Sequence, residues 1–243
     1  MEHLAILSLI AFCSSGIQTI TGFGGMIIAL TLGAHLFQVT ELVDIFVPLG
    51  LIQSAYIVIV DRAYVPWRRL FRQVFPVMGV GTAVGYWTQT QLSGDSLKSI
   101  LGVLVVILAS KELYAWYRAT EGSQEKQGKT SVINSALFGA GIMHGLMATG
   151  GPLLVYAMTK LRVDKRAFRS GLCAVFLLLN IILVSVFFQA GRLETSDLPR
   201  IGALLPALGL GIVLGEWAHR RIDGRKFQLL IFLMLLFAGG SLI

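Results

Sequence analysis

Ten apolar stretches, separated by short polar ones, occupy almost the whole chain. In the first half they lie near residues 4–20, 24–37, 43–60, 70–87 and 97–117; in the second, near 132–147, 151–160, 168–189, 201–215 and 227–243. Uncharged runs of roughly 17–22 residues suffice for a helix to cross a hydrocarbon core of about 30 Å. Helices keep their backbone hydrogen bonds inside the segment, which lipid requires. The pattern therefore predicts an all-α polytopic membrane protein. The first two segments of each half are read as short helices that either both cross or form a re-entrant hairpin. Each pair breaks at adjacent glycines, Gly24-Gly25 and Gly150-Gly151.

The order of segments repeats. Pro76, Gly79, Gly81, Gly85 and Trp87 recur 130 residues later as Pro206, Gly209, Gly211, Gly215 and Trp217. TGFGG at 21–25 falls against MATGG at 147–151, an offset of 126. The chain thus reads as a duplication, with a first membrane repeat at 1–117, a cytoplasmic linker at 118–131 and a second repeat at 132–243. The recurring glycines put small residues on a helix so that another approaches closely, either as fixed packing or as a sliding surface. Trp87 and Trp217 fall at segment ends, where indoles favour the membrane interface.

Lysine and arginine set the orientation. Seventeen of the 20 lie in 61–72, 111–129, 160–169 and 218–226, and only Lys98, Arg192 and Arg200 lie in loops of the opposite side. The positive-inside rule makes the rich loops cytoplasmic. The loop after the third segment is then cytoplasmic in the first half and external in the second. Two inverted repeats of five helical segments follow, with five or three full crossings each and both termini external.

Composition agrees: 55% of residues are hydrophobic and 14% charged, against roughly 25% charged in soluble domains. The longest polar stretch, 118–131, is too short for a soluble domain. The net charge of +7 does not indicate nucleic acid, because the basic residues sit in short loops between apolar runs. Cys13 and Cys173 lie inside apolar runs without ligand spacing and read as packing residues. Bulky Phe12 before Cys13 argues against a lipoprotein site, and the lack of a basic n-region predicts a retained first segment.

The candidate chemistry gathers at the breaks. A helix that starts at membrane depth turns unpaired N–H groups and a positive dipole end toward whatever precedes it. Two such ends from inverted halves would form an anion site at Gly24, Gly25, Gly150 and Gly151. Neutral donors surround it: Gln18, Thr19, Thr21, Gln53 and Thr149. The 126 offset also sets Gln18 against His144, and Ser54 against Asn180. These side chains are either substrate ligands or interhelical glue. His144 abuts a break and is the proton-coupling candidate, since imidazole changes charge in the physiological range. All 13 acidic residues lie in loops or at segment ends, whereas cation carriers usually need a mid-segment carboxylate. No metal-ligand set, cofactor motif or nucleophile–base pair is evident, so an enzyme has little support.

SGIQTITGFGGMIIAL early in the chain and GIMHGLMATGGPLLVYAM after its middle resemble the TauE/SafE family of sulfite and sulfonate exporters. The likeness extends over nearly the full chain in segment order. It implies a secondary transporter that exports small sulfur-containing anions across a prokaryotic inner membrane, by alternating access between the repeats. Residue chemistry alone gives an anion-friendly transporter. The rivals are an uncoupled channel or facilitator and a membrane assembly or sensor subunit. Expected partners are a small anion, membrane lipid, a coupled proton and, in an oligomer, further copies of the chain.

Overall fold

A computed structural model describes residues 2–118, 130–160, 165–219, 221 and 236. The greater part of the 118–131 linker and of the last apolar segment, 227–243, lies outside the described residues. The helices are α1 (Glu2–Thr21), α2 (Gly25–Gly33), α3 (Val39–Val60), the single turn α4 (Trp67–Arg69), α5 (Phe75–Gln89), α6 (Gly94–Arg118), α7 (Thr130–Met147), α8 (Gly151–Lys160), α9 (Lys165–Gln189) and α10 (Leu198–His219). Strands are absent among the described residues. Helices at His3–Thr21, Val39–Val60, Ala167–Gln189 and Thr195–Ala218 are long and apolar enough to cross a membrane. Large apolar side chains such as Leu9, Ile59, Val80, Leu210 and Val213 point outward, as lipid-facing residues do. The chain is an all-α, multi-pass membrane protein.

Only the second member of each opening pair is short. α1 has 20 residues and α7 has 18, whereas α2 has 9 and the described part of α8 has 10. At 1.5 Å per residue α2 spans about 14 Å, half a hydrocarbon core. α2 folds back along α1, and its exit residue Phe37 meets His3 edge-on, with ring centroids 5.4 Å apart. α8 likewise returns along α7, where a Cβ on Gly139 would touch Leu153.

Ion pairs fix the directions of the central helices. Asp61 after α3 meets Arg169 near the start of α9, while Asp44 near the start of α3 meets Arg192 beyond the end of α9. α3 and α9 are therefore antiparallel. α1 and α10 run parallel, because Ser15 bonds Leu208 and Thr19 packs on Gly215. α5 and α7 also run parallel, with Met78 against Gly141 and Thr82 against Gly145. The α1–α2 hairpin enters from the Arg192 end. The α7–α8 hairpin enters from the Arg169 end, where Gln73 bonds Asn134.

The repeated glycines make the α1–α10 and α5–α7 seams. Cβ atoms on Gly81 and Gly85 would strike the Phe138 and Ile142 carbonyls, and those on Gly211 and Gly215 would strike Ser15 and Thr19. Small residues here let backbones touch, and that contact replaces the hydrophobic drive lipid cannot supply. Gly79 and Gly209 face open space. Trp87 and Trp217 are 67% and 53% exposed, as interface residues should be. The π-helical turn Leu70–Val74 precedes Pro76, whose missing N–H and ring disturb the regular ladder just upstream.

The first break bends at left-handed Gly22 (φ 83°) and Gly24 (φ 86°). In the second break the left-handed residue is Ala148 (φ 54°), the 126-offset counterpart of Gly22. A β-carbon in this region is strained, by about 1–2 kcal/mol. Ala148→Gly is expected to raise stability by up to about 1 kcal/mol, read as a higher unfolding midpoint in detergent. An unchanged or lower midpoint would show that the turn is unstrained.

Candidate functional site

The two breaks meet side by side. A Cβ on Gly151 would lie 3.3 Å from the Phe23 side chain and 3.7 Å from the Gly24 nitrogen. The first intrahelical bonds of α2 and α8 are Ile28 N–H to Gly24 O at 3.0 Å and Leu154 N–H to Gly150 O at 3.1 Å. The amides of the first turns before them have no partner within their helices. Gly24 to Ile27 of one break, and Ala148, Thr149 and Gly151 of the other, line a shared cavity. Its volume is about 40 Å³. That is room for about three waters.

The cavity lies near the middle of the α3–α9 pair. Gly50 and Asn180 face each other across it, since a Cβ on Gly50 would lie 3.4 Å from Asn180 Nδ2. Each stands 11 residues, or about 16 Å of helix, from the Asp61–Arg169 contact at one end. Among the described residues the lining holds no carboxylate, lysine or arginine: it comprises polar Ser14, Gln18, Gln53, His144, Thr149 and Asn180, with Met26, Ile27, Phe46, Phe176 and Leu208. His144 is 1% exposed and its ring stacks on Phe176 at 5.8 Å. Asn180 stands beside it, yet His144 Nδ1 and Nε2 and Asn180 Oδ1 lack hydrogen-bond partners among the described residues. Buried polar atoms without partners are costly, so they mark where a bound polar species would be stabilised.

Eight of the residues picked out in the sequence line this cavity: Gln18, Gly24, Gly25, Gln53, His144, Thr149, Gly151 and Asn180. Thr19, Thr21, Ser54 and Gly150 do not. Thr19 Oγ1 accepts from Gln53 Nε2 at 2.8 Å, and that amide also donates to Ser15 O at 2.7 Å. Thr19 therefore orients Gln53 from behind. Thr21 Oγ1 bonds Ile17 O at 2.8 Å and Phe23 O at 2.6 Å and shapes the turn. Ser54 is buried, with no partner for its hydroxyl. Gly150 packs against the Ala140 carbonyl and lets α8 fold onto α7.

The sequence reading passed over Ser14, Gly50, Ala148 and Phe176. Ser14 sits one turn before Gln18 on the same face, a spacing that points to the site. Arg169 was also hidden, because it counts among the cytoplasmic loop charges. It is 8% exposed, ion-paired to Glu216 and within 4.0 Å of Asp61, with its Nε otherwise unbonded. Its stem packs on Gly22, so this cluster lies directly behind the first break. At the other end Arg192 bonds Asp44 at 2.6 Å and Gln89 at 2.7 Å, and covers Phe187 at 4.4 Å. Gln89 in turn donates to Leu146 O at 2.6 Å. No cluster of His, Cys, Asp and Glu suited to a metal occurs among the described residues.

No curated protein and no solved structure matches the chain. The family model described as sulfite exporter TauE/SafE matches residues 7–242. An all-helical membrane fold, paired helix breaks and a match over nearly the full length agree, and the chain belongs to the sulfite exporter TauE/SafE family of anion transporters.

Proposed function

We propose that this protein is a secondary transporter that exports a small sulfur-containing oxyanion, such as sulfite or a short organosulfonate, from a prokaryotic cytoplasm. The observation that carries this reading is the meeting of two helix N-termini at a charge-free polar cavity. Main-chain N–H groups and aligned dipoles stabilise an anion without a fixed cation, and that keeps release possible. Gln18, Thr149 and Asn180 would orient the oxygens and His144 would donate one further bond, while Gln53, whose N–H groups are both given to Ser15 and Thr19, braces α1 against α3 beside the site. The small volume favours a compact anion over a long-chain sulfonate.

Residues 1–117 and 132–243 are read as inverted repeats joined by the linker 118–131. Antiparallel α3 and α9, and hairpins entering from opposite ends, support this. The Arg169 cluster and the Arg192 cluster lie on opposite sides of the cavity, and each ties Asp61 or Asp44 of the first half to the second. Alternating access would open one cluster while the other stays closed. The basic end would face the cytoplasm of an inner membrane, with both termini outside. Reporter fusions at residue 124 and at the C-terminus should then score on opposite sides; scoring on the same side refutes the topology.

Purified protein in liposomes should exchange labelled sulfite, with a short sulfonate such as taurine as the second substrate. Failure to move either, in protein shown to be folded, overturns the substrate assignment. For proton-coupled export through His144, flux should rise as pH falls. His144→Gln should keep substrate binding and lose that dependence. An unchanged pH profile assigns His144 to neutral hydrogen bonding. It favours the second reading, an uncoupled facilitator, for which the cavity lining offers no carboxylate among the described residues.

A further inference from the structure

The stretch from Pro66 to Phe75 carries two side-chain stripes that the transport site does not use. Trp67, Phe71 and Phe75 follow one another at four-residue spacing, with ring centroids 5.8 Å and 6.0 Å apart. Trp67 and Phe71 are 36% and 52% exposed. Directly beside them, one residue on in each turn, stand exposed Arg68 and Arg72. Neither arginine forms an ion pair among the described residues. Both line a groove of about 940 Å³ between this stretch and the start of α7. Gln73 and Asn134, bonded to each other at 3.3 Å, contribute polar lining, and Thr130 borders it.

These parts match one class of ligand. Exposed aromatic rings at the end of a membrane helix settle at the level of lipid glycerol and headgroups. Two guanidiniums held beside them supply positive charge where a lipid phosphate would lie, and each attracts an anionic headgroup. Basic pockets between helices at a membrane surface suit anionic headgroups. The π-helical turn Leu70–Val74 lies within the stretch. We infer that the groove bounded by Arg68, Arg72, Gln73 and Asn134 binds the headgroup of an anionic phospholipid whose acyl chains lie along Trp67 and Phe71. The groove shares no lining residue with the central cavity and does not depend on which anion is carried.

The test uses the full chain in a neutral detergent. Native mass spectrometry and thermal unfolding are measured with phosphatidylglycerol, with phosphatidylcholine of the same chains and with soluble glycerol 3-phosphate. Wild type should retain phosphatidylglycerol selectively and gain thermal stability from it. Arg68→Gln/Arg72→Gln should bind that lipid roughly 30-fold more weakly, as expected for two interfacial charges. Arg68→Lys/Arg72→Lys should keep most of the binding. Equal retention of phosphatidylcholine would overturn the charge-based assignment, as would loss of binding in the double-lysine variant. Stabilisation by glycerol 3-phosphate to the same extent would assign the groove to a soluble phosphate compound. Sulfite flux, measured alongside, reports on the transport reading separately.

Discussion

Gly85→Val and Gly145→Val are expected to yield little or no folded protein, whereas Gly79→Ala is expected to fold normally. A Cβ on Gly85 runs into the Ile142 carbonyl, and one on Gly145 runs into the Thr82 carbonyl. Backbone cannot rotate aside as a flexible side chain can, so α5 and α7 would have to separate. Overpacking of a well-packed contact typically costs about 1–3 kcal/mol, and a rigid helix–helix seam sits at or above the upper end. A protein that is stable by only about 5–15 kcal/mol tolerates little of this. Gly79 belongs to the same motif but meets nothing within 4 Å. Its replacement by alanine should be neutral or stabilising by up to about 1 kcal/mol. The matched variants of the other seam, Gly215→Val against Gly209→Ala, should split the same way. Fluorescence-detected size exclusion and unfolding midpoints decide the matter. Equal folding of Gly79→Ala and Gly85→Val would show that α5 and α7 do not meet as described.

Gly151→Ala is expected to fold and to lose transport. Its added methyl would stand 3.3 Å from Phe23, a side chain able to shift by a few tenths of an ångström. The fold survives that adjustment, but the two helix N-termini move apart where both must reach one anion. A loss of about 1–3 kcal/mol in site stabilisation corresponds to a fall of roughly 5- to 150-fold in binding. Gly25→Ala is more severe. Its Cβ would meet the Ser14 carbonyl at 2.8 Å and also strike the Gln18 side chain. It should therefore lower folded yield as well as flux, and valine at either position should abolish transport. Flux in liposomes at matched protein content, with unfolding midpoints alongside, separates the two effects. Wild-type flux from well-folded Gly151→Ala would remove the paired breaks from the substrate site.

The candidate site was legible in the sequence where chemistry and the recurring pattern coincide. Polar groups and adjacent glycines within apolar runs are conspicuous, and the 126 offset aligned Gln18 with His144 and one break with the other. Eight of those residues share one cavity for that reason. Thr19, Thr21 and Ser54 were equally conspicuous, but composition does not report azimuth around a helix. Thr21 turns back onto its own backbone, and Thr19 is taken up by Gln53. Arg169 was illegible for the opposite reason: a charge at a helix end looks like a loop residue until Glu216 and Asp61 are found around it.

Lipid as solvent explains how the remainder divides. Long apolar runs and the bias of positive charge are one-dimensional consequences of a slab of hydrocarbon, so the sequence alone carried them. The recurring Pro, Gly and Trp spacing was readable too, because it is a pattern along the chain. Which face of each helix meets another helix was not readable. Lipid tails and protein interior are about equally apolar, so a helix packed on one side and lipid-facing on the other shows little asymmetry of hydrophobicity. Gly79 and Gly81 look alike along the chain, and only the tertiary structure turned one to open space and the other onto Phe138. Tertiary packing likewise decided that α5 joins α7 and that α10 joins α1. It also placed a left-handed bend at Ala148, where local preference would ask for glycine.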